Sequence, residues 1–192
     1  MRYLQLGLGA ALVAGVAMMG QVAAQQSGAA KPGDHAGHAS HQAGGAKSAV
    51  AKLSPTANNT ARGEVTFTQE GEGVRVSGSF SGLTFGEHGF HVHEKGDCSA
   101  PDASSAGGHF NPTSQQHGAR EADQRHVGDL GNLKVDPYGL ARVDFVDKHL
   151  SLSGPNSIVG KAVIVHEKAD DFKTQPTGDA GGRLACGVIE AK

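Results

Sequence analysis

The sequence has no tryptophan and only two tyrosines, and aromatic residues make up 5% of it. Beyond the N-terminal stretch, long apolar runs are also scarce. Glycine is plentiful instead, with 29 in 192 residues. Many short strands joined by glycine-rich turns fit this composition better than helices do. Basic charge is not in excess either. The formal net charge of −2 gives no footprint for nucleic acid, though a local positive funnel stays open. Cysteine is limited to Cys98 and Cys186. The length suggests one domain plus extensions.

The first apolar run belongs to a targeting segment. Arg2 precedes a run from Leu6 to Met19, and Val22-Ala23-Ala24 supplies a small-residue cleavage site. The run is shorter than the roughly 20 residues a membrane span needs. No cysteine follows it to carry a lipid anchor. Residues 1–24 therefore read as a signal peptide. The mature chain would be periplasmic or secreted, with no membrane attachment after cleavage. In an exported chain a lone cysteine pair most simply forms one disulfide.

Residues 25–47 are rich in Gln, Ala, Gly, Ser and His, too polar to bury a core. His35, His38 and His41 recur there at every third position. They fit a weak metal-binding tract or a solvated linker equally well.

From Ser48 the pattern is that of strands. Val65 and Phe67 alternate with polar residues, Gly71-Glu72-Gly73 turns the chain, and Val74, Val76 and Phe80 alternate on the return. Gly89-Phe90-His91-Val92-His93-Glu94 alternates in the same way. Phe90 and Val92 fall on one face and His91 and His93 on the other, so two imidazoles can reach one ion. Residues 96–125 have no sustained period and read as a long functional loop. Asp136-Pro137-Tyr138-Gly139 suits a type I turn, leading to a strand with Ala141, Val143 and Phe145. Lys161 to His166 is a strand with Val163 and Val165 opposite Ile164 and His166. Glu167 to Gly182 is a second long loop, and Arg183 to Ile189 closes the chain. About eight antiparallel strands with two long loops imply an all-β sandwich or barrel.

Candidate metal ligands are His91, His93, His109, His117, His126, Asp129 and His166. Seven residues are too many for one four-coordinate ion. They match two ions that share one ligand, which fits an imidazolate bridge. An all-imidazole set suits copper(II), and three imidazoles with a carboxylate suit closed tetrahedral zinc. His126 and Asp129 lie close enough in sequence to share an ion. Spacing alone leaves the bridging residue open.

Five segments resemble the signature blocks of Cu,Zn superoxide dismutase. They are Gly89 to Glu94, Gly108-His109-Phe110-Asn111-Pro112, Arg125-His126-Val127-Gly128-Asp129, Val165 to Asp171, and Gly182 to Ile189. The resemblance covers residues 48–192 and implies an eight-stranded antiparallel Greek-key barrel. It implies copper on His91, His93, His109 and His166, and zinc on His109, His117, His126 and Asp129, with His109 as bridge and proton carrier. Asp170 would tie His91 to His117, Cys98 would pair with Cys186, and Arg183 would guide the anion. The implied activity is dismutation of superoxide to O2 and H2O2.

Cys98 comes directly after Gly96-Asp97, earlier than in the cytosolic animal form. With the export signal, this resembles bacterial secreted members. Pro176 stands where cytosolic members often carry lysine, so the steering charges are left open, as is homodimer formation. A non-catalytic copper- and zinc-binding protein is the alternative reading. A zinc hydrolase is disfavoured, because no H-E-x-x-H pattern supplies a general base.

Overall fold

The computed structural model describes residues 46–192. The signal-peptide and histidine-tail expectations lie outside the described residues. Eight strands form one antiparallel sheet: β1 (Ser48–Pro55), β2 (Arg62–Glu70), β3 (Gly73–Ser81), β4 (Gly86–His93), β5 (Asp129–Val135), β6 (Ala141–Asp147), β7 (Ala162–His166) and β8 (Arg183–Ala191). Their spatial order is β5-β4-β7-β8-β1-β2-β3-β6. β5 and β6 are neighbours in sequence yet stand at opposite ends of that order. The turn joining them can only be short if the sheet curls round into a barrel. It is short: the Gly139 amide donates to the Asp136 carbonyl at 3.0 Å, and the Asp136 amide to the Leu140 carbonyl at 2.9 Å.

Local chemistry accounts for the register. Glu70 pairs with Gly73, which leaves a two-residue turn at Gly71-Glu72, and Gly71 takes the positive φ of 59° that such turns require. The alternation then sends Val65, Phe67, Val74, Val76 and Phe80 inward. Phe90 and Val92 of β4 join the same core, and Phe80 and Phe90 meet edge to face at 5.3 Å.

β7 departs from simple alternation, because all five of its residues are buried. Val163 and Val165 enter the main core. Ile164, with Ala162, belongs to a second apolar cluster with Ala103, Ala106 and Cys186. The first long loop covers that face of the sheet, so neither side of β7 meets water.

The Cys98–Cys186 disulfide fastens this loop to β8 across 88 residues of sequence. A closed loop of that length is worth about 4–5 kcal/mol in the chain-entropy account, an upper-end figure. Among the described residues no helix is long and apolar enough to cross a membrane.

Candidate metal centre

β4 carries His91 and His93 to the outer face of the barrel, under the two long loops. Their register with β5 shifts between Gly89 and His91, and β7 and β8 shift between Val165 and His166. Irregularities of this kind re-aim side chains beside functional sites. His109 and His117 come from the first loop. His126 ends that loop, and Asp129 is the first residue of β5.

These residues form two groups. His91, His93, His109 and His166 make one, and His109, His117, His126 and Asp129 the other. Within each group the candidate donor atoms lie within 4.8 Å of one another, and every member is buried. His109 belongs to both. The first group is the set the resemblance assigns to copper, and the second is the set it assigns to zinc.

Hydrogen bonds decide which ring nitrogen each histidine offers. Burial pushes the Asp170 carboxyl up, but hydrogen bonds from His117 and His91 overcome this and hold it well below the usual carboxylate range. An ionised carboxylate only accepts. His91 Nε2 and His117 Nε2, each 2.8 Å from an Asp170 oxygen, therefore donate. That turns their Nδ1 atoms toward the ion groups. His93 Nδ1 donates to the Gly107 carbonyl at 2.9 Å, and His166 Nδ1 to the Gly181 carbonyl at 3.3 Å. Their Nε2 atoms are left as acceptors, and these face each other at 3.2 Å.

Two lone pairs at that distance repel unless a cation lies nearby. Protonation does not relieve them, because burial, reinforced by neighbouring imidazoles, holds both His93 and His166 well below the usual histidine range.

The orphaned atoms complete the fit. His91 Nδ1, His109 Nε2, His117 Nδ1 and His126 Nδ1 are buried without a hydrogen-bond partner. The nearby Asp129 oxygen lies 3.0 Å from His117 Nδ1 and 3.3 Å from His126 Nδ1, but neither pair is aligned as a hydrogen bond. These nitrogens suit an ion rather than each other. His109 Nδ1 meets Asp129 Oδ1 at 2.9 Å on the side of the second group, which leaves Nε2 for the first. Four imidazoles fit copper(II), and three imidazoles with Asp129 fit tetrahedral zinc.

Electrostatics on the zinc-type side follow from the same packing. Burial raises Asp129, but the hydrogen bond from His109 and the close approach of His117 and His126 outweigh it and keep the carboxyl ionised. Burial takes His109 down to about 4 despite Asp129. Burial also pulls His117 down, yet Asp129 and Asp170 together raise it to about 9. At pH 7 the metal-free protein thus carries a proton on His117 that a bound cation must displace. Zinc binding at pH 7 is expected to release about one proton from this site. Calorimetric titration in buffers of different ionisation enthalpy measures it, and a buffer-independent heat would contradict the assignment.

Arg183 opens β8 at the rim of the first group. Its Nη1 donates to the Ala103 carbonyl and its Nη2 to the Gly107 carbonyl, both at 2.6 Å. A cavity of about 120 Å³ opens there, lined by His93, His166, Thr177, Ala180, Gly181 and Arg183. It is large enough for a small anion, and larger surface clefts lie away from the histidines.

Residues 61–189 match the family model of copper/zinc superoxide dismutase (SODC). The chain belongs to that family. Among solved structures, the crystal structure of the clock protein EA4 is similar, with a TM-score of 0.71 and 49% identity. The match covers 77% of this chain and 96% of that one. Members of the copper/zinc superoxide dismutase family bind copper and zinc, in keeping with the two donor groups here.

Two supports were not singled out from sequence. Arg125 is buried, and its guanidinium donates to the carbonyls of Arg120, His126 and Asp129 and to Asp147 of β6. It ties the end of the first loop to the barrel.

The other is Gly178, whose φ is 68°. A methyl group there would collide with Asp170 Oδ1 and lie 2.6 Å from His117 Nε2. Gly178→Ala is therefore expected to break the Asp170–His117 hydrogen bond and weaken zinc binding by about 10-fold or more. Competition with a zinc chelator reads the change, and a native affinity would contradict the packing argument.

Proposed function

We propose that this protein dismutates superoxide. The observation that carries the reading is the Arg183-lined cavity over a four-imidazole group that shares His109 with a closed three-imidazole, one-carboxylate group. In this reading His91, His93, His109 and His166 hold copper, and His109, His117, His126 and Asp129 hold zinc. Copper, when bound, supplies one-electron redox chemistry.

The chain's own residues do the rest. Arg183 binds and orients the anion. Its guanidinium has five N–H donors, and the two carbonyls occupy two of them. His109 carries a proton at Nε2 on the copper side while Nδ1 keeps its place beside Asp129. Asp170 holds His91 and His117 in fixed tautomers. The small cavity favours a diatomic anion over bulkier reductants or oxidants.

The Cys98–Cys186 disulfide supports an oxidising compartment. With residues 1–24 as signal peptide, we place the mature protein in the periplasm or outside the cell.

A second reading is metal binding without turnover. The similar structure carries the name of a clock protein rather than of an enzyme, which keeps that reading in play. Protein loaded with copper and zinc should consume superoxide catalytically, whereas protein loaded with zinc alone should not. Equal inactivity of both forms would favour the binding reading.

A further inference from the structure

The loop between β7 and β8 touches the zinc-type group at a second point besides Asp170. Gln175 pairs its side-chain amide with both main-chain polar groups of His117. The His117 amide donates to Gln175 Oε1 at 2.8 Å, and Gln175 Nε2 donates to the His117 carbonyl at 3.0 Å. The two residues are 58 apart in sequence. His117 is 4% exposed, so these buried groups would otherwise lack partners. It also sits in a long loop with no strand ladder to fix its backbone.

Gln175 is aimed by its own turn. The Lys173 and Thr174 amides donate to Asp171 Oδ1 at 2.9 and 2.8 Å, and the Gly178 amide donates to the Thr174 carbonyl at 2.7 Å. Gln175 Nε2 also reaches the Lys173 carbonyl at 3.3 Å.

We propose that Gln175 is a latch that positions His117, so that zinc leaves only when the second loop lets go of the first. The proposal rests on zinc occupying the His109, His117, His126 and Asp129 group. Two contacts from one loop then hold this ligand. Asp170 fixes the direction of the ring through Nε2, and Gln175 fixes the backbone that carries it. Breaking either leaves the ring free to swing away while the other three ligands stay in place. Gln175 itself offers no ligand atom to either ion group. It acts through His117 and is a positioning residue.

The test is zinc release from the full-length chain into excess chromophoric chelator, beside copper retention followed by cupric absorbance. Gln175→Ala is expected to speed zinc release about 10-fold or more. Gln175→Glu keeps an acceptor for the His117 amide but loses the donor to its carbonyl, so its release rate should fall between native and Gln175→Ala. Lys173→Ala, a side chain on the same turn that makes no contact with His117, should release zinc at the native rate. Copper release should stay at the native rate, because a loop can open without global unfolding.

Zinc release from Gln175→Ala within twofold of native would overturn the latch. So would copper release accelerating as much as zinc release, which would make Gln175 a general stability residue. A native protein that retains no zinc would overturn the zinc assignment itself, and native zinc content distinguishes that failure from failure of the latch alone.

Discussion

Replacing Arg183 with glutamate is expected to lower the superoxide rate by about 100-fold at low ionic strength, with both metals retained. The proposed substrate is a small anion and the chain carries a formal net charge of −2, so the average field repels it. Encounter depends on local charge at the mouth, where low-dielectric walls focus the field. Such focusing changes on-rates by about 10 to 1000-fold. Superoxide dismutases are a known example of electrostatic steering, so the rate class is a property of the family rather than a deduction from this chain.

The structure refines the choice of variants. Arg183 also clamps Ala103 and Gly107, so Arg183→Ile removes both charge and clamp. Arg183→Lys keeps the charge but cannot span both carbonyls. If steering dominates, Arg183→Lys should retain native salt dependence with a modestly lower rate. Arg183→Ile should lose about 10-fold and most of its salt dependence, and the rate of Arg183→Glu should rise with salt. Stopped-flow superoxide decay across ionic strengths, with copper and zinc quantified in each variant, measures all of this. Equal low-salt rates for native and Arg183→Glu would remove Arg183 from the mechanism.

Asp170→Asn is expected to weaken metal binding by about 10 to 100-fold at the group of whichever histidine loses its partner, His91 or His117. The Asp170 side chain is fully buried, and its two oxygens each accept from a different histidine. Asparagine is nearly the same size, so packing survives. One of its two polar atoms, however, is a donor. Either His91 or His117 would then face an NH2 group and would have to present a lone pair to it. Its proton would move to Nδ1, the nitrogen otherwise free for metal. The amide can satisfy one imidazole at the cost of the other. Chelator competition for each metal reads the loss, and proton NMR of the ring N–H signals reads the tautomer. Native affinity for both copper and zinc in Asp170→Asn would contradict this role of Asp170.

Much of this arrangement was legible in the sequence, for local reasons. Alternation over β4 put His91 and His93 on one face and Phe90 and Val92 on the other, as in the structure. The turns at Gly71-Glu72 and Asp136 to Gly139 were legible because turn chemistry is short-range. The bridging position was not legible from spacing, because it depends on where the first loop returns to the barrel. A short antiparallel bridge from His93 to His109 sets that return.

The burial of Ile164 shows the same limit. Alternation identified its face of β7 but not the loop and disulfide that cover it. Gln175 and Gly178 left no pattern at all. A glutamine paired with a distant main chain has no characteristic spacing, and the need for glycine at 178 comes from Asp170 and His117 across the fold.

In the proposed function, superoxide turns over catalytically at the group that includes His109. The most direct test is product stoichiometry with the copper- and zinc-loaded protein at large substrate excess. Superoxide decay is followed by absorbance while O2 and H2O2 are measured in the same reaction. Many superoxides should be consumed per protein, with one O2 and one H2O2 formed for every two superoxides. His109→Ala, matched for copper content, should lose most of that turnover. Consumption that stops after about one superoxide per bound copper would contradict it, and would leave a metal-binding protein on the dismutase fold.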